Sequence, residues 1–310
     1  MINIKVTTCA PDWPWQRQLP LGGTDWGPFR FHIDTDVKEC DLWFVFESLS
    51  RTETVECPPE RTVFITGEPD SLGSYSKKFL SQFHYVVTGR NDVQHPRIIR
   101  MQQGHAWFVE KTFDELIAMS SPVKTKDVCI VTSAKAFTEG HRARLKFVDA
   151  AKERFGDRVD LYGRGLKDFD SKWNVLAPYK YSIVLENYIS KDFITEKLPD
   201  AWLAYCVPFY SGCSNILDYY HPDSFVNIDI ANPTQSLEII ENFLGSNALY
   251  EQSLKAVEVA RKEYLLNNQF FAVLKNISQH LMSTSTDKKN SVSLSPQNEM
   301  KRFKFLRSFL

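Results

Sequence analysis

The densest set of groups able to do chemistry lies in YSIVLENYISKDFITEKLPDAWLAYCVPFYSG, residues 181–212. The apolar run at its start reads as a buried strand over 181–186, so Glu186 and Asn187 project from its carboxyl end. A loop then leads into a helix expected over 195–205, which puts Glu196 and Lys197 in the first turn, above the sheet. Backbone N–H groups are free at such a place and attract anions. Lys197 can neutralise a phosphate, and Glu196 can accept hydrogen bonds from ribose hydroxyls, so the segment suits a nucleoside diphosphate. The same residues also suit an ordinary capped helix, with Thr195 near the cap and an exposed Glu–Lys pair.

Other candidates are more scattered. Glu68 follows the apolar run VFIT and the turn residue Gly67, so it can stand at a sheet edge, although most such glutamates are plain surface. Arg144 lies near the start of a helix expected over 141–155, a second place for a phosphate. Arg142 competes with it. Arg164 sits between Gly163 and Gly165, which permit close backbone approach. Trp107 and the loop holding Trp13 and Trp15 offer aromatic faces for a sugar, or simply core packing. Asp34, Thr35 and Asp36 form a DxD triplet of the kind that holds a metal, but outside the half that carries the phosphate candidates.

The elements that must position these groups fall into two regions. Short strands are expected over 2–7, 42–47, 62–66 and 85–88, separated by Pro- and Gly-rich stretches such as residues 11–29, which read as long loops. Helical signals here are weak and confined to 74–82 and 111–119. The polar break SSPVKTKD, residues 120–127, reads as a linker. Beyond it, strands over 128–132, 159–162, 181–186, 207–210 and 225–228 alternate with helices over 141–155, 195–205, 235–244 and 249–265. That alternation implies a parallel sheet covered on both faces, with ligands beyond the carboxyl ends of its strands. Residues 283–299 are polar and read as a flexible linker. The closing KRFKFLRSFL mixes basic and apolar residues, which suits an anionic membrane surface or packing onto the body.

FITEK, preceded by LEN and followed by VPFYSG, resembles the signature of glycosyltransferase family 10, the α-1,3/1,4-fucosyltransferases. The resemblance runs from TGEP at 66–69 through GHRARLKFVDA and DLYGRG to DSFVNIDI at 223–230. It implies an α/β chain of the GT-B class, two Rossmann-like domains facing across a cleft. The first, 1–120, would bind the acceptor, the second, 127–282, the donor GDP-fucose, and 283–310 would be a tail. It implies an inverting, single displacement at the anomeric carbon, with Glu68 as the one general base and cations on the departing diphosphate. Glu186, Asn187, Phe193, Thr195, Glu196, Lys197 and Arg144 would then hold the donor, with Gly163 and Arg164 as further contacts. Phe193 departs from the pattern, because several members have Tyr there. The ring is kept and the hydroxyl lost, which leaves another nucleotide sugar open as the donor. A non-catalytic glycan-binding or scaffold protein on the same fold is the remaining alternative.

Composition bounds the rest. The chain has 310 residues, enough for two domains, and 43% of them are hydrophobic. With 37 basic and 38 acidic residues the net charge is −1, so no global field favours nucleic acid. The six cysteines include no CxxC pair and read as reduced and mostly buried. Basic residues can do a metal's electrostatic work, so no metal and no cofactor besides the nucleotide-sugar co-substrate is expected. The partners expected are that donor and an oligosaccharide acceptor. No run is apolar enough for a signal peptide or a membrane span, so a cytoplasmic chain is expected, with the basic end suited to the inner membrane face.

Overall fold

A computed structural model describes residues 1–283 and 288–302, the side chains of 300–302 excepted. The strands are β1 (Ile2–Thr8), β2 (Asp25–Trp26), β3 (Phe29–Ile33), β4 (Leu42–Phe46), β5 (Glu53–Cys57), β6 (Thr62–Ile65), β7 (Tyr85–Val87), β8 (Ile98–Ile99), β9 (Lys126–Val131), β10 (Val159–Tyr162), β11 (Tyr179–Leu185), β12 (Val207–Ser211), β13 (Val226–Asn227) and β14 (Asn290–Leu294). The helices are α1 (Lys77–Leu80), α2 (Phe113–Ala118), α3 (Glu139–Phe155), α4 (Lys172–Leu176), α5 (Lys197–Leu203), α6 (Pro233–Leu244), α7 (Asn247–Glu263), α8 (Phe270–Met282) and α9 (Gln297–Arg302).

The chain folds into two compact units. The first comprises Met1–Gly104 and the chain from Phe270 onward; the second is His105–Gln269. The first unit's sheet has the order β2-β3-β1-β4-β6-β7-β8, parallel except for the short β2. Its central strand β4, LWFVF, is buried along its whole length, as a strand covered on both faces must be. The second unit's sheet is fully parallel, in the order β10-β9-β11-β12-β13. In each sheet the strand order reverses once, between β1 and β4 in the first and between β9 and β11 in the second. Loops leaving the two strands diverge there and open a crevice at their carboxyl ends.

Three expectations are corrected. The boundary falls at Gly104 rather than near residue 120, and residues 270–282 belong to the first unit rather than the second. Packing causes this: Phe270 and Phe271 of α8 lie against Trp15, Phe46 and Phe31, with ring centroids 4.8 to 6.0 Å apart. The expected flexible linker over 283–299 instead contains β14, which pairs antiparallel with β5. Leu294 is buried there among Val55, Cys57 and Trp43, an apolar contact that polar composition concealed. The basic end from residue 303 lies outside the described residues. Among the described residues no helix is long and apolar enough to cross a membrane.

Candidate functional site

The second unit places several of its charged residues at the crevice between β9 and β11. Glu186 follows β11 and is buried. Its carboxylate accepts from the Thr195 N–H at 3.1 Å and the Thr195 hydroxyl at 2.8 Å. It also accepts from the Lys197 ammonium at 3.1 Å. Hydrogen bonds to an ionised partner contribute about 1.5–3 kcal/mol each, so Glu186 fixes the loop that carries FITEK. Gly212 sits against it: a Cβ there would lie 2.6 Å from the Glu186 side chain and 2.3 Å from the Tyr210 hydroxyl. The glycine of VPFYSG is therefore room for a buried carboxylate. Glu186 faces the protein interior, so its part is to hold Lys197 rather than to touch a nucleotide.

Glu196 stands at the start of α5, with Lys197 as the first helical residue, two residues later than the sequence implied. Thr195 is spent on Glu186 and does not cap the helix. Lys197 lies 3.5 Å from Glu196, and neither is the exposed surface residue of an ordinary pair, at 20% and 22% side-chain exposure. Burial opposes the charge on Lys197, but Glu186 and Glu196 outweigh it and hold its ammonium above the usual lysine range. Burial likewise opposes the charge on Glu196, and Lys197, Lys172 and His105 outweigh it, keeping the carboxyl well below the usual carboxylate range.

Arg144 belongs to the buried stripe of α3, with His141, Phe147, Val148, Ala151 and Phe155. One guanidinium nitrogen donates to the Asn187 side chain and another to the Ser133 carbonyl at 3.0 Å, while its buried Nε has no partner among the described residues. Arg142 points out and bonds the Ala136 carbonyl at 3.2 Å, so the helix face separates the two arginines. Burial first, then the charges of Arg144, Lys135 and Lys197, hold His141 below its ordinary value. Arg144 and Lys197 thus bond adjacent residues, Asn187 and Glu186, just past the end of β11. The approach depends on Gly140, where a Cβ would lie 1.8 Å from the Asn187 carbonyl oxygen.

Other sequence candidates fare differently. Gly163 has φ 140°, and a Cβ would overlap the Thr132 carbonyl, so this glycine serves the packing of β10's end on β9's end. Arg164 is exposed, and its carbonyl accepts from the Ala134 N–H at 3.2 Å. Phe193 is half-buried and meets the ring of Tyr188 edge-on at 5.8 Å. Trp107 is fully buried beside Tyr264, which makes it core rather than a sugar platform. Trp15 is buried too, whereas Trp13 is half-buried.

Glu68 lies in the first unit, exposed, just past the carboxyl end of β6. Its turn is held from a neighbouring strand end. The Glu47 carboxylate accepts from the N–H groups of Gly67 and Glu68, the latter at 3.1 Å, and from the Tyr75 hydroxyl at 2.5 Å. Burial first, then Glu47, pushes the Tyr75 phenol far up, so it stays a donor. Arg90 completes the frame. It donates to the Glu68 carbonyl at 3.1 Å and the Gly73 carbonyl at 2.6 Å, while paired with Asp92 at 2.7 Å.

Sequence reading missed Glu47, Tyr75, Lys135, Lys172, Asp200 and Gly140. Lys172 of α4 pairs with the buried Asp200 of α5 at 2.5 Å, tying the Glu196 turn to a second element. Only Gly140 carried a signal, as a glycine in a helical run. In the DxD triplet, Asp34 accepts from the Thr8 N–H and hydroxyl at 2.7 Å, and Asp36 pairs with Arg51 at 2.8 Å. Among the described residues no group of three His, Cys, Asp or Glu is placed to hold a metal. All six cysteines are free, and five are buried.

Comparison with known proteins places these observations. The family description "Glycosyltransferase family 10 (fucosyltransferase) C-term" matches residues 121–290. The chain is 30% identical over 135 residues to the human 4-galactosyl-N-acetylglucosaminide 3-alpha-L-fucosyltransferase 9, covering 42% of this chain and 36% of that protein. It is 30% identical over 107 residues to the alpha-(1,3)-fucosyltransferase FucT of Helicobacter pylori, covering 33% of this chain and 22% of that one. The aligned stretch is therefore little more than a third of the human relative's length. Among solved structures, an alpha1,3-fucosyltransferase with GDP-fucose superposes with a TM-score of 0.53 at 18% identity, covering 93% of both chains. A second alpha1,3-fucosyltransferase structure gives 0.54 at 18%, over 93% and 92%. At such identity the likeness shows the fold, the GT-B class.

Proposed function

The chain belongs to glycosyltransferase family 10, and from that premise we propose that it transfers L-fucose from GDP-fucose to a hydroxyl of a glycan acceptor. The observation that carries the reading is the charge cluster after β11. Arg144 bonds Asn187 there, the adjacent Glu186 fixes Lys197, and the buried Arg144 Nε lacks a partner among the described residues. Such a cluster suits a diphosphate. Glu196 suits the ribose hydroxyls. The sugar and the α-1,3 type follow from the likeness to the α-1,3-fucosyltransferases, and we propose lipopolysaccharide or another surface glycan as the acceptor class.

The proposed step is an inverting displacement. The Glu68 carboxylate takes the proton of the acceptor hydroxyl as its oxygen bonds the anomeric carbon. The bond from that carbon to the diphosphate oxygen breaks, and GDP leaves with the electron pair. Lys197 and Arg144 stabilise the charge that develops on it. Two protein cations fill the role that a divalent metal plays elsewhere, so we propose that transfer needs no metal and continues in EDTA.

The test is GDP release and fucosylated product from GDP-fucose and 4-galactosyl-N-acetylglucosaminide. Glu68→Gln should lower kcat by about 10²- to 10⁴-fold with the donor KM unchanged. Lys197→Ala should weaken GDP binding and also lower Tm, because it leaves the buried Glu186 without its ion-pair partner. Full activity in both variants would overturn the assignment. Phe193 favours a second reading, the same reaction with another nucleotide sugar. Thermal stabilisation by UDP but not GDP would select it.

A further inference from the structure

We propose that Gln297, in the segment that follows β14, is a positioning residue for the base, acting on Glu68 through Tyr75 and Glu47. The proposal rests on the transferase reading above, in which Glu68 takes the proton. It adds to that machinery a side chain 221 positions beyond the turn residue it grips.

The turn that carries Glu68 is poorly anchored by its own side chains. Residues 70–74 are all exposed, Leu72 at 54%. Such a stretch gains little from apolar burial, so hydrogen bonds must fix it. Tyr75, which follows, is half-buried, with its ring 5.0 Å from that of Phe64 and 4.8 Å from the Arg90 guanidinium. Its hydroxyl donates to one oxygen of Glu47, whose other oxygen accepts from the Gly67 and Glu68 N–H groups. The place of Glu68 therefore depends on where Tyr75 stands.

Gln297 sets that place from outside the turn. Its side-chain oxygen accepts from the Ser76 N–H at 2.6 Å, and its side-chain nitrogen donates to the Ser74 carbonyl at 3.1 Å. These belong to the two peptide groups that flank Tyr75, so one amide grips the backbone on both sides of it, in the manner of a neighbouring strand. Gln297 is itself held. β14 pairs with β5 over five residues, and Leu294 is buried. At Ser295 the Gln82 amide makes the same double contact, accepting from the N–H at 2.8 Å and donating to the carbonyl at 3.1 Å. Two glutamine amides thus lock segment and turn together from opposite sides.

The consequence is kinetic. Without the grip, Tyr75 shifts, its hydrogen bond to Glu47 weakens, and the turn samples positions from which Glu68 misses the acceptor hydroxyl. A base displaced by an ångström loses most of its effect. The residues proposed for the donor lie in the second unit and make none of these contacts, so the loss falls on the chemical step rather than on donor binding.

The transfer assay above, run on variants of the full chain, tests this. Gln297→Ala should lower kcat about tenfold, with the donor KM and the GDP-induced thermal shift unchanged. Tyr75→Phe removes the hydroxyl, and the double variant should be no slower than the slower single one, because both changes act along one path. Gln82→Ala loosens the same segment at Ser295 without touching the peptide groups of Tyr75, so it should lower Tm and keep kcat near wild type. An unchanged kcat in Gln297→Ala, effects that multiply in the double variant, or an equal loss of kcat in Gln82→Ala would each overturn the proposal. Hydrogen exchange gives a readout without turnover. Gln297→Ala should speed exchange over 67–76, and wild-type protection there would also overturn the proposal. Faster exchange in a chain that transfers no fucose would uphold the grip on the turn and overturn the transferase reading.

Discussion

Glu47 holds a φ of 67°, a left-handed conformation that costs a non-glycine residue roughly 1–2 kcal/mol. The strained position turns its carboxylate toward the Gly67 and Glu68 N–H groups and the Tyr75 hydroxyl, and so fixes where Glu68 begins. Glu47→Ala should leave those donors without their acceptor, at about 1–3 kcal/mol for each donor left buried. We expect a lower Tm and a fall in kcat that exceeds any change in donor KM. An unchanged kcat would show that the turn needs no such support. Nothing in FESLS announces this residue, because its partners lie some twenty to thirty positions further along the chain. Arg144 was more legible. Helical spacing puts it on the face of Phe147, Val148 and Ala151, and a charged residue in an apolar stripe asks for a buried partner. The face alone does not name that partner, which is Asn187.

At the scale of elements, strands with continuous apolar runs were readable and the returning segments were not. β10 coincides with the span its residues imply, and β4, β6, β7, β9, β11 and β12 differ from theirs only at the ends. The α8 sequence FFAVLKNISQHLM is absent from the expected helices, although its pattern is amphipathic. Lys275, Asn276, Gln279 and His280 recur on one face, and the other face supplies eight buried residues. What its sequence does not show is which unit that apolar face packs on. β14 is hidden because NSVSL buries only Leu294 on an edge strand. Leu294→Ala should cost about 2–5 kcal/mol of stability and speed hydrogen exchange in β5. Wild-type protection of the β5 amides in that variant would mean the strand pairing does not depend on this anchor.

At the scale of the molecule, each unit carries one large, mainly parallel sheet with one reversal of strand order, and each reversal holds a distinct chemistry. The second unit presents cations at its crevice, the first presents hydroxyls and carboxylates. GDP at a hundred times its Kd should add about 2.7 kcal/mol to the stability of the unit that binds it. Hydrogen-exchange mass spectrometry should therefore show new protection in α3 and over 186–197, with the carboxyl ends of β1 and β4 unchanged. Protection confined to β1 and β4 would reverse the assignment of the two crevices.

The sequence by itself determined the local matters: apolar runs that become strands, the glycines of the tight approaches, and a signature whose order along the chain places it in its family. These are legible because each depends on neighbours a few residues away. Only the tertiary structure decided which carboxylates are tied to a cation or a turn and which are left exposed or half-buried. Glu186, Glu196, Glu47 and Glu68 are the same residue type, each at a strand or helix end. Their roles diverge through partners from other strands and helices, and burial and charge from those partners are properties of the fold alone.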